Sequence, residues 1–338
     1  MTRRLLILYT GGTLGMVPSP DGLVPGHQLD ERLRTQLARL PHPRRCALPE
    51  WHLEATGTPI DSSSATPHDW LRLVTQIRDH AHDDDLTGIV VLHGTDTMAW
   101  CSAMLSVWLG DTCRCPVVVT GAQLPLEADG SDAAHNIELA MRYAAAPNAQ
   151  GVMLAFGGRL LQGDAARKWY TEDHQGFETP NAPLLAYWPI NQRDDHPLPA
   201  LHHLPLPNND ARQRVMKALH IAAAPLAVPE TLPRLARIVL WPGIAATQVS
   251  AQLALADVAV LEVWGSGNLP DDSDLHQVLE QAARQGKRLI AISQCPHGST
   301  HIGVYAAGKA LKDAGIIEGE TLTPELASAL LLASSAQE

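Results

Sequence analysis

The chain has 338 residues, 45% of them hydrophobic and 18% charged, and a formal net charge of -11 with histidine neutral. That length exceeds one ordinary core and sets two domains as the expectation. The negative balance argues against nucleic acid and anionic membrane surfaces as main partners, and five cysteines without regular spacing argue against a disulfide framework.

The opening MTRRLLILYT has basic residues and a short apolar run, without the longer apolar core and small-residue cleavage site of a secretory signal. No stretch has the apolar length of a transmembrane helix, so the cytoplasm is the expected address. Leu5 to Leu8 is expected as a buried strand that ends in the turn TGGT. Thr66-Pro67-His68-Asp69 has the pattern of a helix N-cap with proline in the first turn, opening a helix to about His82. GIVVL at 88–92 is an unalternating strand, followed by the loop HGTDT and a helix from about Met98 to Leu109. Pro116 to Thr120 is a further strand and Ser131 to Ala146 a helix. Gly151 to Phe156 with Gly157-Gly158 behind it reads as a strand entering a tight hairpin.

From Trp188 to about Pro233 prolines and histidines crowd in, the composition of a surface linker. A second rhythm follows, with strands at Ala236–Leu240, Ala259–Val263 and Arg288–Ser293. A helix over Asp272–Gln285 carries Leu275, Val278, Leu279 and Ala282 at helical spacing. Apolar strands alternating with helices mean mainly parallel sheets covered on both faces. The fold class is α/β with two domains, each a mainly parallel sheet flanked by helices. The expected bounds are a larger N-terminal catalytic domain over 1–190, a linker over 191–235 and a smaller C-terminal domain over 236–338.

Ligands of such sheets bind beyond the carboxyl ends of the strands. TGGT and HGTDT both lie there, so they can face each other. Glycines at a strand end allow a sharp bend and close approach to a ligand, which suits a phosphate cradle or an exposed nucleophile. The cradle reading lacks both the G-x-G-x-x-G spacing and a P-loop lysine. The pair Cys113/Cys115, the pair His80/His82 and the group Cys295, His297 and His301 fit no closed four-ligand metal pattern.

TGGTLG near the amino terminus, IDSSS at 60–64, HGTDTM at 93–98, VTGAQLP at 119–125 and WGSGNLP at 264–270 occur in that order, together with Lys168. They resemble the cytoplasmic, type I branch of the bacterial L-asparaginase family. The resemblance spans nearly the whole chain and is weakest from 190 to 235. It implies an amidohydrolase that converts L-asparagine and water to L-aspartate and ammonia, with no cofactor and no metal. Thr13 matches the threonine that is acylated. Thr95, Asp96 and Lys168 match the group that activates the nucleophile or water. Asp61 and Ser62 match the pair that holds the substrate's α-amino and α-carboxylate groups, and Gly12 and Gly94 carry over as backbone positions. Asn268 matches an asparagine that reaches a neighbouring subunit's site, which implies a homodimer or homotetramer.

Two positions depart from the pattern. Leu23, in DGLVP, stands where the resemblance expects a lid tyrosine. Glu262 stands where it expects the arginine of a second, regulatory asparagine site. Alternatives to the asparaginase reading are a related amidase or glutaminase and a non-catalytic asparagine-binding sensor.

Overall fold

The computed structural model describes residues 4–57, 59–110, 113, 115–188, 210–222, 224–304 and 308–334. The chain divides into two compact units, Met1–Pro205 and Leu206–Glu338.

The first unit is built on a seven-stranded sheet. In spatial order its strands are Ala186–Tyr187, Arg159–Gln162, Val152–Phe156, Val117–Thr120, Leu86–Leu92, Arg4–Tyr9 and Glu50–Ala55. The last five in that order run parallel, and the first two close the far edge antiparallel. Leu5, Leu6, Ile7 and Leu8 are all 0% exposed, which explains the unbroken apolar run: both faces of this strand are covered. Leu5, Ile7 and Tyr9 face the layer containing the helices Leu29–Ala38 and Ala133–Ala144. By alternation Leu6 and Leu8 face the opposite layer. The helix Pro67–His80 packs on the helix Met98–Leu109, whose residues are nearly all buried. The Thr66 hydroxyl and backbone N–H both donate to the Asp69 carboxylate, which fixes the start of the first of these helices. Gly157 and Gly158, at φ 57° and 77°, make the expected hairpin.

The second unit holds a four-stranded parallel sheet in the order Leu235–Val239, Val258–Val263, Arg288–Ser293 and Ile317–Glu318. Helices Ala246–Ala254 and Ser273–Arg284 pack on it, and the expected apolar positions Leu275, Leu279 and Ala282 are buried. Both units therefore have the expected α/β architecture. Part of the span expected as linker, 191–209, lies outside the described residues. Another part, Asp210–Ala218, is a helix with Arg212 and Val215 buried, packed against Pro324–Ser334 of the second unit. Among the described residues, no helix is long and apolar enough to cross a membrane.

Candidate active site

The strands Arg4–Tyr9 and Leu86–Leu92 are parallel neighbours in register, with Tyr9 opposite Leu92. Their two following turns therefore leave the sheet side by side. Thr10 N–H and the Thr10 hydroxyl both donate to the Leu92 carbonyl, at 3.0 and 2.9 Å. Ile60 N–H donates to the Thr10 carbonyl at 2.8 Å, bringing the segment 60–64 against the first turn.

Contact among the three segments is made through glycine. A β-carbon on Gly12, whose φ is 95°, would lie 2.5 Å from Gly94 Cα. One on Gly94 would lie 2.4 Å from Ser62 Oγ and 3.3 Å from Gly12 Cα. No side chain fits in this stack, so both glycines are required by close approach. Thr13, half-buried, follows directly in the short 3-10 turn Thr13–Gly15. Ser62 is buried, the Asp61 carboxylate accepts from Ser63 N–H at 3.1 Å, and the Thr97 hydroxyl donates to the Ser62 carbonyl at 2.7 Å.

Lys168 comes from the two-residue strand Arg167–Lys168, beyond the glycine hairpin. Its Nζ lies 2.9 Å from Thr95 Oγ1 and 2.7 Å from Asp96 Oδ1. Thr95 is buried while Asp96 is largely exposed, so a hydroxyl out of bulk water is tied to an amine whose second partner is a wet carboxylate.

His93, fully buried, lies beneath this turn. Trp70 Nε1–H donates to its Nε2 at 3.2 Å, and its Nδ1 faces the Gly94 carbonyl at 2.8 Å. A ring that accepts at Nε2 and bonds a carbonyl at Nδ1 is the neutral Nδ1–H tautomer. Burial pushes the imidazole below its ordinary range, and the Gly94 hydrogen bond opposes this in part. A cavity of about 370 Å³ adjoins these residues, lined by Thr10, Ser62, Trp70 and His93 among others. His93 opens the HGTDTM motif, and the sequence alone assigns it no role. The available signal was a histidine placed directly after a fully apolar strand.

The expected residues Gly12, Thr13, Asp61, Ser62, Gly94, Thr95, Asp96 and Lys168 thus fall in one neighbourhood of the first unit. Asn268 belongs to the second unit, where the backbones of Trp264 and Asn268 bond reciprocally across a tight turn. Its Oδ1 is buried without a hydrogen-bond partner. Leu23 lies on the strand Gly22–Pro25 of a hairpin with Met16–Ser19, and is 48% exposed. The buried Glu262 carboxylate pairs with Arg237 of the adjacent strand. No group of three or more His, Cys, Asp or Glu among the described residues is arranged to hold a metal ion.

Residues 4–196 match the asparaginase N-terminal family, and residues 234–338 match the glutaminase/asparaginase C-terminal domain. The chain is 34% identical to L-asparaginase 1 of Escherichia coli K12 over 326 residues, covering 96% of this chain and 89% of that protein. The structure of L-asparaginase I from Vibrio cholerae superposes with a TM-score of 0.78 at 29% identity, covering 100% of this chain and 94% of the other. The thermostable L-asparaginase from Thermococcus kodakarensis gives 0.80 at 26% identity, covering 99% and 93%. With both domains matched along nearly the full length, the chain belongs to the asparaginase family.

Proposed function

We propose that the protein hydrolyses L-asparagine to L-aspartate and ammonia, with the Thr13 hydroxyl as nucleophile. One observation carries the reading: the Lys168 amine joins Thr95 to Asp96 at the turn that packs, through Gly94, on the glycine preceding Thr13. A threonine hydroxyl is a weak nucleophile and needs a neighbouring base. As a neutral amine, Lys168 accepts the Thr95 proton while still donating to Asp96; as an ammonium it donates to both. Thr95 can then take a proton from the attacking hydroxyl and later return one.

In the first half-reaction Thr13 Oγ attacks the side-chain amide carbon. The C–N bond breaks, the leaving nitrogen takes a proton, and ammonia departs from an acyl-Thr13 ester. In the second, water activated by Thr95 cleaves the ester, releasing aspartate and restoring Thr13. Asp61 is suited to the substrate ammonium and Ser62 to its carboxylate by charge and hydrogen-bonding capacity.

Asn268, with a buried and unpartnered amide oxygen, is proposed to complete the site of a second copy, so the active form is a homodimer or homotetramer. We place the enzyme in the cytoplasm, a reading supported by five free cysteines of which Cys46 and Cys295 are exposed.

Ammonia release by the purified protein, with asparagine and glutamine assayed side by side, tests the reaction. Release from asparagine is the expected result, whereas activity confined to glutamine or a bulkier amide would replace the substrate. Asparagine binding without any turnover would make the protein a sensor, a reading favoured only by the lack of a phenol at Leu23.

A further inference from the structure

The turn that carries Thr13 is held from behind by a charged group outside every motif considered above. Arg32 projects from the helix Leu29–Ala38. Its Nη1 donates to the Gly15 carbonyl at 2.9 Å and its Nη2 to the Met16 carbonyl at 3.3 Å. The other side of the same fork donates to Glu127, Nε to Oε1 at 2.7 Å and Nη2 to Oε2 at 2.6 Å. Those bonds hold the Glu127 carboxyl below its ordinary range.

The guanidinium sits where the hairpin begins and ends. Gly26 N–H donates to the Gly15 carbonyl at 3.1 Å, so one oxygen receives both the returning strand and Arg32. A β-carbon on Gly26 would lie 2.3 Å from Arg32 Nη1, leaving room there for glycine alone. Leu126 N–H, next to Glu127 in sequence, donates to the Leu14 carbonyl at 3.1 Å. The Tyr9 phenol fills the remaining side, within 2.0 Å of where a Gly15 β-carbon would be. The stretch behind Thr13 is therefore fastened at residues 14, 15 and 16, while Leu23 and Val24 at the far strand stay exposed.

We propose that Arg32, locked by Glu127, is a positioning residue that holds the Thr13 turn still independently of what the hairpin beyond it does. The proposal rests on the reading of Thr13 as nucleophile. A planar fork is needed because four bonds leave one group in fixed directions, which a lysine ammonium cannot reproduce. Small displacements of a nucleophile weaken attack far more than binding, so the effect belongs in kcat.

The test compares wild type, Arg32→Lys and Arg32→Gln on asparagine, alongside chemical denaturation and hydrogen exchange of the Gly26 amide. Arg32→Lys is expected to lower kcat by about tenfold or more with KM changed less than about threefold. Its denaturation midpoint should stay near that of the wild type, and the Gly26 amide should exchange faster. Turnover within about twofold of wild type in both variants would overturn the proposal, as would a kcat loss matched by an equal loss of stability. If the wild type releases no ammonia, the functional reading fails and the exchange comparison decides the clamp alone. Faster Gly26 exchange in Arg32→Gln then sustains it, and unchanged exchange overturns it.

Discussion

Gly94 Cα occupies the place a β-carbon on Gly12 would need, 2.5 Å away. Two residues far apart in sequence, each just beyond one of two neighbouring parallel strands, are thus in close backbone contact, and the candidate site depends on that contact. Gly12→Ala adds both this clash and a strained φ of 95°, each without a flexible neighbour to move. The expected result is a loss of turnover of about a hundredfold or more, with stability reduced by about 1–3 kcal/mol. Steady-state kinetics and urea denaturation measure the two, and an active, equally stable variant would show that the turns can part without consequence.

A second expectation separates nucleophile from base. Thr13→Ala should abolish the acyl-enzyme, visible by mass spectrometry of protein quenched during turnover. Thr95→Ala and Lys168→Met should lower kcat by about 10²- to 10⁴-fold, the range of a positioned proton acceptor. Lys168 holds both Thr95 and Asp96, so the double variant should lose little beyond either single one. Near-normal ammonia release from any of the three would remove that residue from the mechanism.

How much of this could be read beforehand depended on burial. Strands covered on both faces, such as Arg4–Tyr9 and Leu86–Leu92, announce themselves as apolar runs, and their outgoing turns carry the motif residues. Glu50–Ala55 does not: among the described residues it is an edge strand beside Arg4–Tyr9, and EWHLEA interleaves charge with apolar groups. Pro324–Ser334 was silent for the opposite reason, since a helix buried all round shows no amphipathic stripe. The Met16–Pro25 hairpin has Gly22, Leu23, Val24 and Pro25 all exposed, and so lacks any inward-facing pattern along its second strand. The Arg32–Glu127 pair spans 95 residues of sequence, a distance over which no local spacing rule operates.

His93 supplies a pH signature. Burial holds the folded imidazole below its ordinary range, so the unfolded chain binds this proton first as the pH falls. Stability associated with neutral His93 is complete above the unfolded value, about 6.5, and declines as the pH drops through it toward the folded value. The slope can reach about 1.4 kcal/mol per pH unit. His135 is lowered too, by burial and then by Arg44, and acts in the same window. His93→Asn isolates the first contribution. The stability difference between wild type and this variant should shrink as the pH is taken from about 7.5 to about 5. A difference independent of pH would mean that His93 does not titrate in the unfolding reaction.

Leu23 poses the last question, because a leucine has no proton to transfer and this one is exposed. At 48% exposure it can be replaced by tyrosine without displacing buried neighbours, so Leu23→Tyr isolates the chemistry of the phenol from stability. The hairpin's attachment at Gly15, Met16 and Gly26 is made by backbone groups and Arg32, none of which the substitution touches. With the Thr95–Lys168–Asp96 group intact, the wild type is expected to turn over asparagine, and Leu23→Tyr to raise kcat or leave it unchanged. A phenol that orients the nucleophile would act on acylation, so the increase should appear as faster ammonia release in single-turnover kinetics. A fall in kcat with stability preserved would mean that the open hairpin is itself adapted to the substrate, and would direct the search toward amides bulkier than asparagine.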